Sequence, residues 1–182
     1  MKKSVRETVG NLSGASMMLG FGAVAIFRWS HTGAWFFALM ALRDLLAAYF
    51  FVVRKPAKNV DQSHVVLISY LSSALPLFYQ FSSAASTTVI TVCQTIATLG
   101  FLLVTLATIE LSDSLGVSPA NRGDVCTTGV YRFVSHPMYL GYAIAEASFV
   151  IVDPKNWVLF VTSMALYWWR AHRESAIKGI EV

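Results

Sequence analysis

Long uninterrupted apolar runs constrain this 182-residue chain more than any other feature. About 20 apolar residues cross the roughly 30 Å hydrocarbon core of a bilayer as a helix, the form in which every backbone polar group bonds within its own segment. Such runs occupy Val9 to Phe27, Gly33 to Val53, His64 to Phe81 and Ser86 to Leu111. Two shorter ones, Met138 to Val152 and Trp157 to Trp169, flank the turn Asp153-Pro154-Lys155-Asn156 and read as a hairpin that either spans at a tilt or dips partway. With 55% apolar side chains and a mean hydropathy of +0.57, there is far more apolar surface than a soluble core of this size needs. The expectation is an all-α, polytopic integral membrane helical bundle of about six spans. It forms one domain over 1–182, with a four-helix part to residue 111 and a motif loop, last hairpin and tail from 112.

Fourteen Lys and Arg residues then orient the bundle. With a cytoplasmic N-terminus, the inner segments carry Lys2, Lys3, Arg6, Arg54, Lys55, Lys58, Arg122, Arg132, Arg170, Arg173 and Lys178, whereas the outer loops carry only Arg28 and Lys155. This asymmetry follows the positive-inside rule and predicts six spans with both termini cytoplasmic. It also puts the loop before the last hairpin and the C-terminal tail on one face, where they can build one site. The basic start lacks a small-residue cleavage site and is expected to remain as the first span. No basic run or basic-aromatic interleaving suggests nucleic acid, and Cys93 and Cys126 form neither a disulfide framework nor a zinc motif.

Several groups stand out against the apolar background. Arg43 and Asp44 lie in the second run and Glu146 in the fifth, where an ionised group costs several kcal/mol unless paired or hydrated. Adjacent residues on a helix do not face each other, so Glu146 is the expected partner of Arg43, either as a packing pair or in a substrate or proton role. Glu110, at the end of the fourth run, is expected to be solvated. Gly10-x-x-x-Gly14 is a weak dimerisation signal that does not fix an oligomeric state, and Pro76 is expected to kink the third helix.

Polar chemistry concentrates in Thr128-Gly129-Val130-Tyr131-Arg132-Phe133-Val134-Ser135-His136-Pro137-Met138-Tyr139-Leu140-Gly141. Pro137 biases His136 away from helical geometry and suits the first turn of the next helix, whose free N–H groups suit an anion. Arg170 and Glu174, four apart, share a helix face after the sixth run. On spacing alone they make a surface ion pair, and a lone His-Pro step only starts a helix.

Together these elements resemble a known pattern. Gly129-x-Tyr131-Arg132-x-x-Ser135-His136-Pro137-Met138-Tyr139-x-Gly141 is similar to the signature of the isoprenylcysteine carboxyl methyltransferase family and the related phospholipid N-methyltransferases. Leu115-Gly116, Asn121-Arg122-Gly123 and Thr127-Thr128 resemble the lead-in, and Arg170 to Glu174 resembles the family's R-x-x-x-E-E element, so the likeness runs from Leu111 to Glu174. Ser135 stands where the family has Arg, and Ser175 where it has a second Glu.

The resemblance implies a methyltransferase using S-adenosylmethionine, bound between the last two helices and their flanking segments. No G-x-G-x-x-G fingerprint of a dinucleotide fold is present. The implied cofactor residues are Tyr131, His136, Pro137, Met138, Tyr139, Gly141 and Glu174. His136 and the N–H groups from Pro137 to Tyr139 would hold the amino-acid carboxylate, and Glu174 the ribose hydroxyls or ammonium. Tyr131, Tyr139 and Trp168 or Trp169 would supply aromatic faces. Arg170 and Glu174 are the implied catalytic pair, with Arg170 orienting the acceptor. His136, Glu146 and Glu174 are the only candidate bases for deprotonating an amine. The acceptor is therefore expected to be an amphiphile bearing a carboxylate or thiol, reaching the site from the bilayer. A phospholipid N-methyltransferase, a nicotinamide-dependent membrane reductase and a non-catalytic scaffold remain the alternatives.

Overall fold

A computed structural model describes residues 5–60, 63–80, 85–122 and 125–178. Lys2, Lys3, Phe81 and Gly123, used above, lie outside the described residues. The described residues form six α-helices: α1 (Val5–Thr32), α2 (Trp35–Val53), α3 (Ser63–Ala74), α4 (Thr87–Leu111), α5 (Pro137–Val152) and α6 (Trp157–Lys178). Three segments, Glu7–Thr32, Trp35–Val53 and Thr87–Ser114, are long and apolar enough to cross a membrane, so the chain is a multi-pass membrane protein.

The other helices depart from the expected lengths. The third apolar run yields only 12 helical residues before a 3₁₀ turn, Leu75–Phe78, takes over. Pro76 therefore ends α3 instead of kinking it, because it supplies no N–H and its ring crowds the preceding turn. At 1.5 Å per residue, α3 covers about 18 Å, short of a bilayer. Conversely, α6 continues beyond the apolar run as far as Lys178, so Arg170 and Glu174 stand on the same helix that packs into the bundle.

Two tight helix pairs form the frame. Helices α1 and α2 are joined at Gly33, whose φ of +65° favours glycine, and run antiparallel against each other. Helices α4 and α5 cross at Gly100 and Gly141, where a side chain on either would approach the other's carbonyl oxygen to 2.5 or 2.6 Å. Backbones meet directly at this crossing, the usual role of small residues between membrane helices. Phe36, Phe37, Phe101, Phe149, Tyr142 and Tyr167 fill the space between the pairs. Gly14, half of the Gly-x-x-x-Gly signal, packs inside the chain against Phe51 and Tyr70 instead of offering a dimer face.

The two ends of the bundle are stitched differently. At one end Arg28 donates to the carbonyls of Leu77 and Tyr79, and Asn156 bonds Gln80 through both main-chain groups and Phe149 through its carbonyl. The Arg28 bonds tie the stretch after α3 to α1, and the Asn156 bonds tie it to the turn between α5 and α6. At the other end, short strands β1 (Asn59–Val60) and β2 (Ala120–Asn121) pair antiparallel. Lys55 N–H donates to Asp113 O, and Arg122 donates to Lys55 O at 2.8 Å. Arg54, buried and beside Arg122, donates to Asn11 at 2.7 Å, and burial first, then Arg122, lowers its pKa to about 10. The α2–α3 and α4–α5 connections thus form one platform at the end where α5 begins and α6 finishes.

Candidate functional site

Beneath that platform lies a cavity of about 60 Å³. Its lining runs from Ser135, exposed at the mouth, to Thr108, Tyr142 and Arg43, all buried. Five helices and two loops contribute. The motif loop and α5 give Tyr131, Ser135, His136, Met138, Tyr139 and Tyr142; α6 gives Arg170 and Glu174; α2, α3 and α4 give Arg43, Ala47, Ser73, Thr108 and Leu111.

Local structure explains the placing of the motif. Glu110, expected to be solvated, instead accepts the Val130 N–H at 3.1 and 2.9 Å through its two carboxylate oxygens. A side chain on Gly129, which has φ +53°, would collide with that carboxylate, so the 3₁₀ turn Gly129–Arg132 closes on the end of α4 only with glycine there. The turn buries most of Tyr131, and burial before all else raises its phenol pKa above the ordinary value. His136, at φ −133° and ψ 64°, stays out of the helix, and Pro137 occupies the first turn as expected.

At the α6 side His136 is gripped twice. Its Nε2 lies 3.1 Å from Ser175 Oγ and its Nδ1 3.8 Å from Glu174 Oε2. Tyr139 donates its hydroxyl to Glu174 Oε1. Ser175, a departure from the resembled pattern, is therefore a working partner of the histidine. Below them the rings stack: His136 on Tyr139 at 5.6 Å, Tyr139 on Tyr167 at 5.5 Å, and Tyr167 on Tyr142 at 5.3 Å.

Six of the eight expected site residues line the cavity: Tyr131, His136, Met138, Tyr139, Arg170 and Glu174. Pro137 and Gly141 do not. Both are buried, and Gly141 serves the α4 crossing. The Tyr139 N–H, expected for an anion, donates to the His136 carbonyl at 3.1 Å, and Pro137 has no N–H to offer. Trp168 is 65% exposed against His172, and neither it nor Trp169 reaches the cavity. Arg170 is engaged otherwise than expected. Its Nη1 donates to Ser72 Oγ at 2.9 Å and Ser73 Oγ at 3.2 Å, its Nη2 donates to Val117 O, and its guanidinium lies 5.2 Å from the centre of the Tyr139 ring. It fixes the wall, while Glu174 faces the histidine.

The intramembrane acids also sort differently. Glu146 accepts from Tyr79 at 2.8 Å and Tyr167 at 2.6 Å and does not pair with Arg43. Arg43 folds back along its own helix to Asp44, Nη1 to Oδ1 2.8 Å. A long guanidinium stem can reach a neighbouring carboxylate although the two Cβ atoms diverge. Tyr142 was legible in retrospect, since it follows Tyr139 by three on one helix face. Arg43 stood out in the sequence as an intramembrane charge but not as part of this cavity, and Thr108 carried no signal.

A carboxylate, three tyrosine rings and an imidazole thus converge on one cavity. The sequence matches the family described as "Protein of unknown function (DUF1295)" over residues 43–179, from the middle of α2 through α6. No curated protein and no solved structure matches the chain.

Proposed function

The chain belongs to the DUF1295 family, and within it we propose that this protein is an integral membrane methyltransferase that uses S-adenosylmethionine and acts on an amphiphilic acceptor. The observation carrying this reading is the convergence of Tyr131, His136, Met138, Tyr139 and Glu174 on one cavity, with Glu174 held by Tyr139 and facing His136.

When bound, the cofactor supplies an electrophilic methyl group on a sulfonium centre. Glu174, aligned by the Tyr139 hydroxyl, accepts from hydroxyl or ammonium donors. Tyr131 and Tyr139 offer π faces to a flat base and a cation. His136 is oriented by Ser175 through Nε2 and turns Nδ1 toward Glu174, so the imidazole and the carboxylate face the cofactor together. Arg170, tied to α3 and to the loop at Val117, keeps Tyr139 in place. Alignment and exclusion of water do the work in such a displacement, and a carboxylate or thiolate acceptor needs no general base. The same reading takes all six helices as membrane-crossing or membrane-embedded, with the platform and both termini on the cytoplasmic side.

Calorimetric titration of S-adenosylhomocysteine into the detergent-purified protein tests this, with a nicotinamide dinucleotide as control. Saturable binding of the former alone is expected, and it is lost in His136→Ala and Glu174→Ala while the fold persists. Binding of the dinucleotide instead would make the protein a reductase. Retained binding in both variants would remove these residues from the site.

A further inference from the structure

Two guanidinium groups reach the cavity, and they are not equivalent. Arg170 has both terminal nitrogens committed to Ser72, Ser73 and the Val117 carbonyl. Arg43 is 3% exposed, its Nε, like that of Arg170, has no hydrogen-bond partner among the described residues, and its guanidinium lies 5.2 Å from the centre of the Tyr142 ring. Among the described residues its ion-pair partner is Asp44. That contact is 2.8 Å long, yet Asp44 Oδ1 makes no aligned hydrogen bond.

Geometry around α2 separates the pair. Successive helical residues point about 100° apart. Arg43 lines the cavity and Asp44 does not; Asp44 faces α1, where a side chain on Gly22 would lie 3.5 Å from its Cβ. Asp44 therefore stands as a fixed counter-charge on the side of the guanidinium away from the cavity. Ala47, Leu111, Leu115 and Met138, which pack in one cluster, give the same cavity an apolar side. A cation held at membrane depth is costly unless something anionic meets it, and a planar fork is suited to a carboxylate.

We propose that Arg43 is the recognition group of an acceptor subsite, and that it binds the carboxylate of an aliphatic amphiphile whose chain lies along the apolar side of the cavity. This moves the acceptor-orienting role from Arg170 to Arg43. It rests on the methyltransferase reading for the word acceptor, though the binding itself does not.

The test uses the full chain in lipid nanodiscs, titrated with decanoate and, separately, methyl decanoate, with empty nanodiscs to subtract partitioning. Charge-assisted, bidentate contacts predict that decanoate binds at least about tenfold more tightly than its ester. In Arg43→Gln the ratio falls to about one, and S-adenosylhomocysteine binding is unchanged. Equal affinities in the natural protein, or an unaltered ratio in Arg43→Gln, would overturn the proposal. Should Arg43→Gln not fold, Arg43→Lys keeps a charge beside Asp44 but loses the fork. It must lower the ratio several-fold, and an unchanged ratio refutes the role. A natural protein that prefers decanoate but binds no S-adenosylhomocysteine would instead sink the methyltransferase reading and leave the carboxylate site standing.

Discussion

Gly100→Ala tests the packing that positions the site. The added methyl would lie 2.5 Å from Gly141 O, 2.7 Å from Ala145 N and 3.0 Å from Ala145 Cβ. The first two are backbone atoms of α5, so no side chain can swing aside. Ordinary contact starts near 3.4 Å, and α4 and α5 must separate by about 0.9 Å locally, a gap that forfeits roughly a quarter to a half of each dispersion well it opens. Overpacked interiors lose about 1–3 kcal/mol, and rigid obstruction puts this variant at the upper end. At roughly 2–4 °C per kcal/mol for a chain of this size, the apparent Tm in detergent should fall by about 6–12 °C. Gly20→Ala is the control: nothing lies within 4 Å of its added methyl, and alanine is favoured over glycine in a helix by about 1 kcal/mol, so its Tm should hold or rise. Tryptophan fluorescence during heating reads both. Because α5 carries His136 and Tyr139, S-adenosylhomocysteine affinity should drop in Gly100→Ala as well. A Gly100→Ala protein as stable as Gly20→Ala would refute the backbone crossing.

Glu146→Leu leaves the hydroxyls of Tyr79 and Tyr167 without their acceptor, at roughly 1–3 kcal/mol each. Its destabilisation should shrink when Tyr79→Phe and Tyr167→Phe are added, and full additivity in thermal unfolding would deny the shared network. Tyr131 holds its proton in the folded state above the ordinary phenol value of about 10, whereas the unfolded chain releases it there. Stability therefore falls as pH rises past 10, by up to about 1.4 kcal/mol per pH unit from this group, and Tyr131→Phe should flatten that fall in unfolding measured from pH 9 to 12. Cys126, partly exposed in the motif loop, should react with a membrane-impermeant maleimide in inverted vesicles and not in intact cells, while buried Cys93 stays silent in both. Labelling from outside would reverse the orientation.

Much of the site was legible because its parts are concentrated in two short segments. The His136-Pro137 step fixes its own backbone, and an i,i+4 spacing brings Arg170 and Glu174 to one end of one helix. What those residues then touch depends on distant segments. Arg170 turned to Ser72 and Ser73, which as sequence are only small residues in an apolar run. Gly141 shows a further limit, since a glycine that admits a ligand and one that admits another helix are the same letter. Glu110 lies beside its span end in both readings, but only the positive φ of Gly129 brings the Val130 N–H within its reach. The length of α3 was misjudged because hydropathy counts Pro76 as just another residue of the run, while the hydrogen-bond ladder stops there.

The guanidinium of Arg170 has a mechanical consequence. It bonds α3 through two serines and the α4–α5 loop through Val117, all from one buried position on α6. Parting α3 from α6 would strip a buried cation of every one of those acceptors, a cost of several kcal/mol that thermal fluctuation seldom meets. That seam is locked. The stretch of α2 around Ala47 lacks such a buried bolt: it packs through apolar side chains, with the Lys55–Asp113 bond only at its end, and is the easier seam to part for a membrane-dissolved molecule entering sideways.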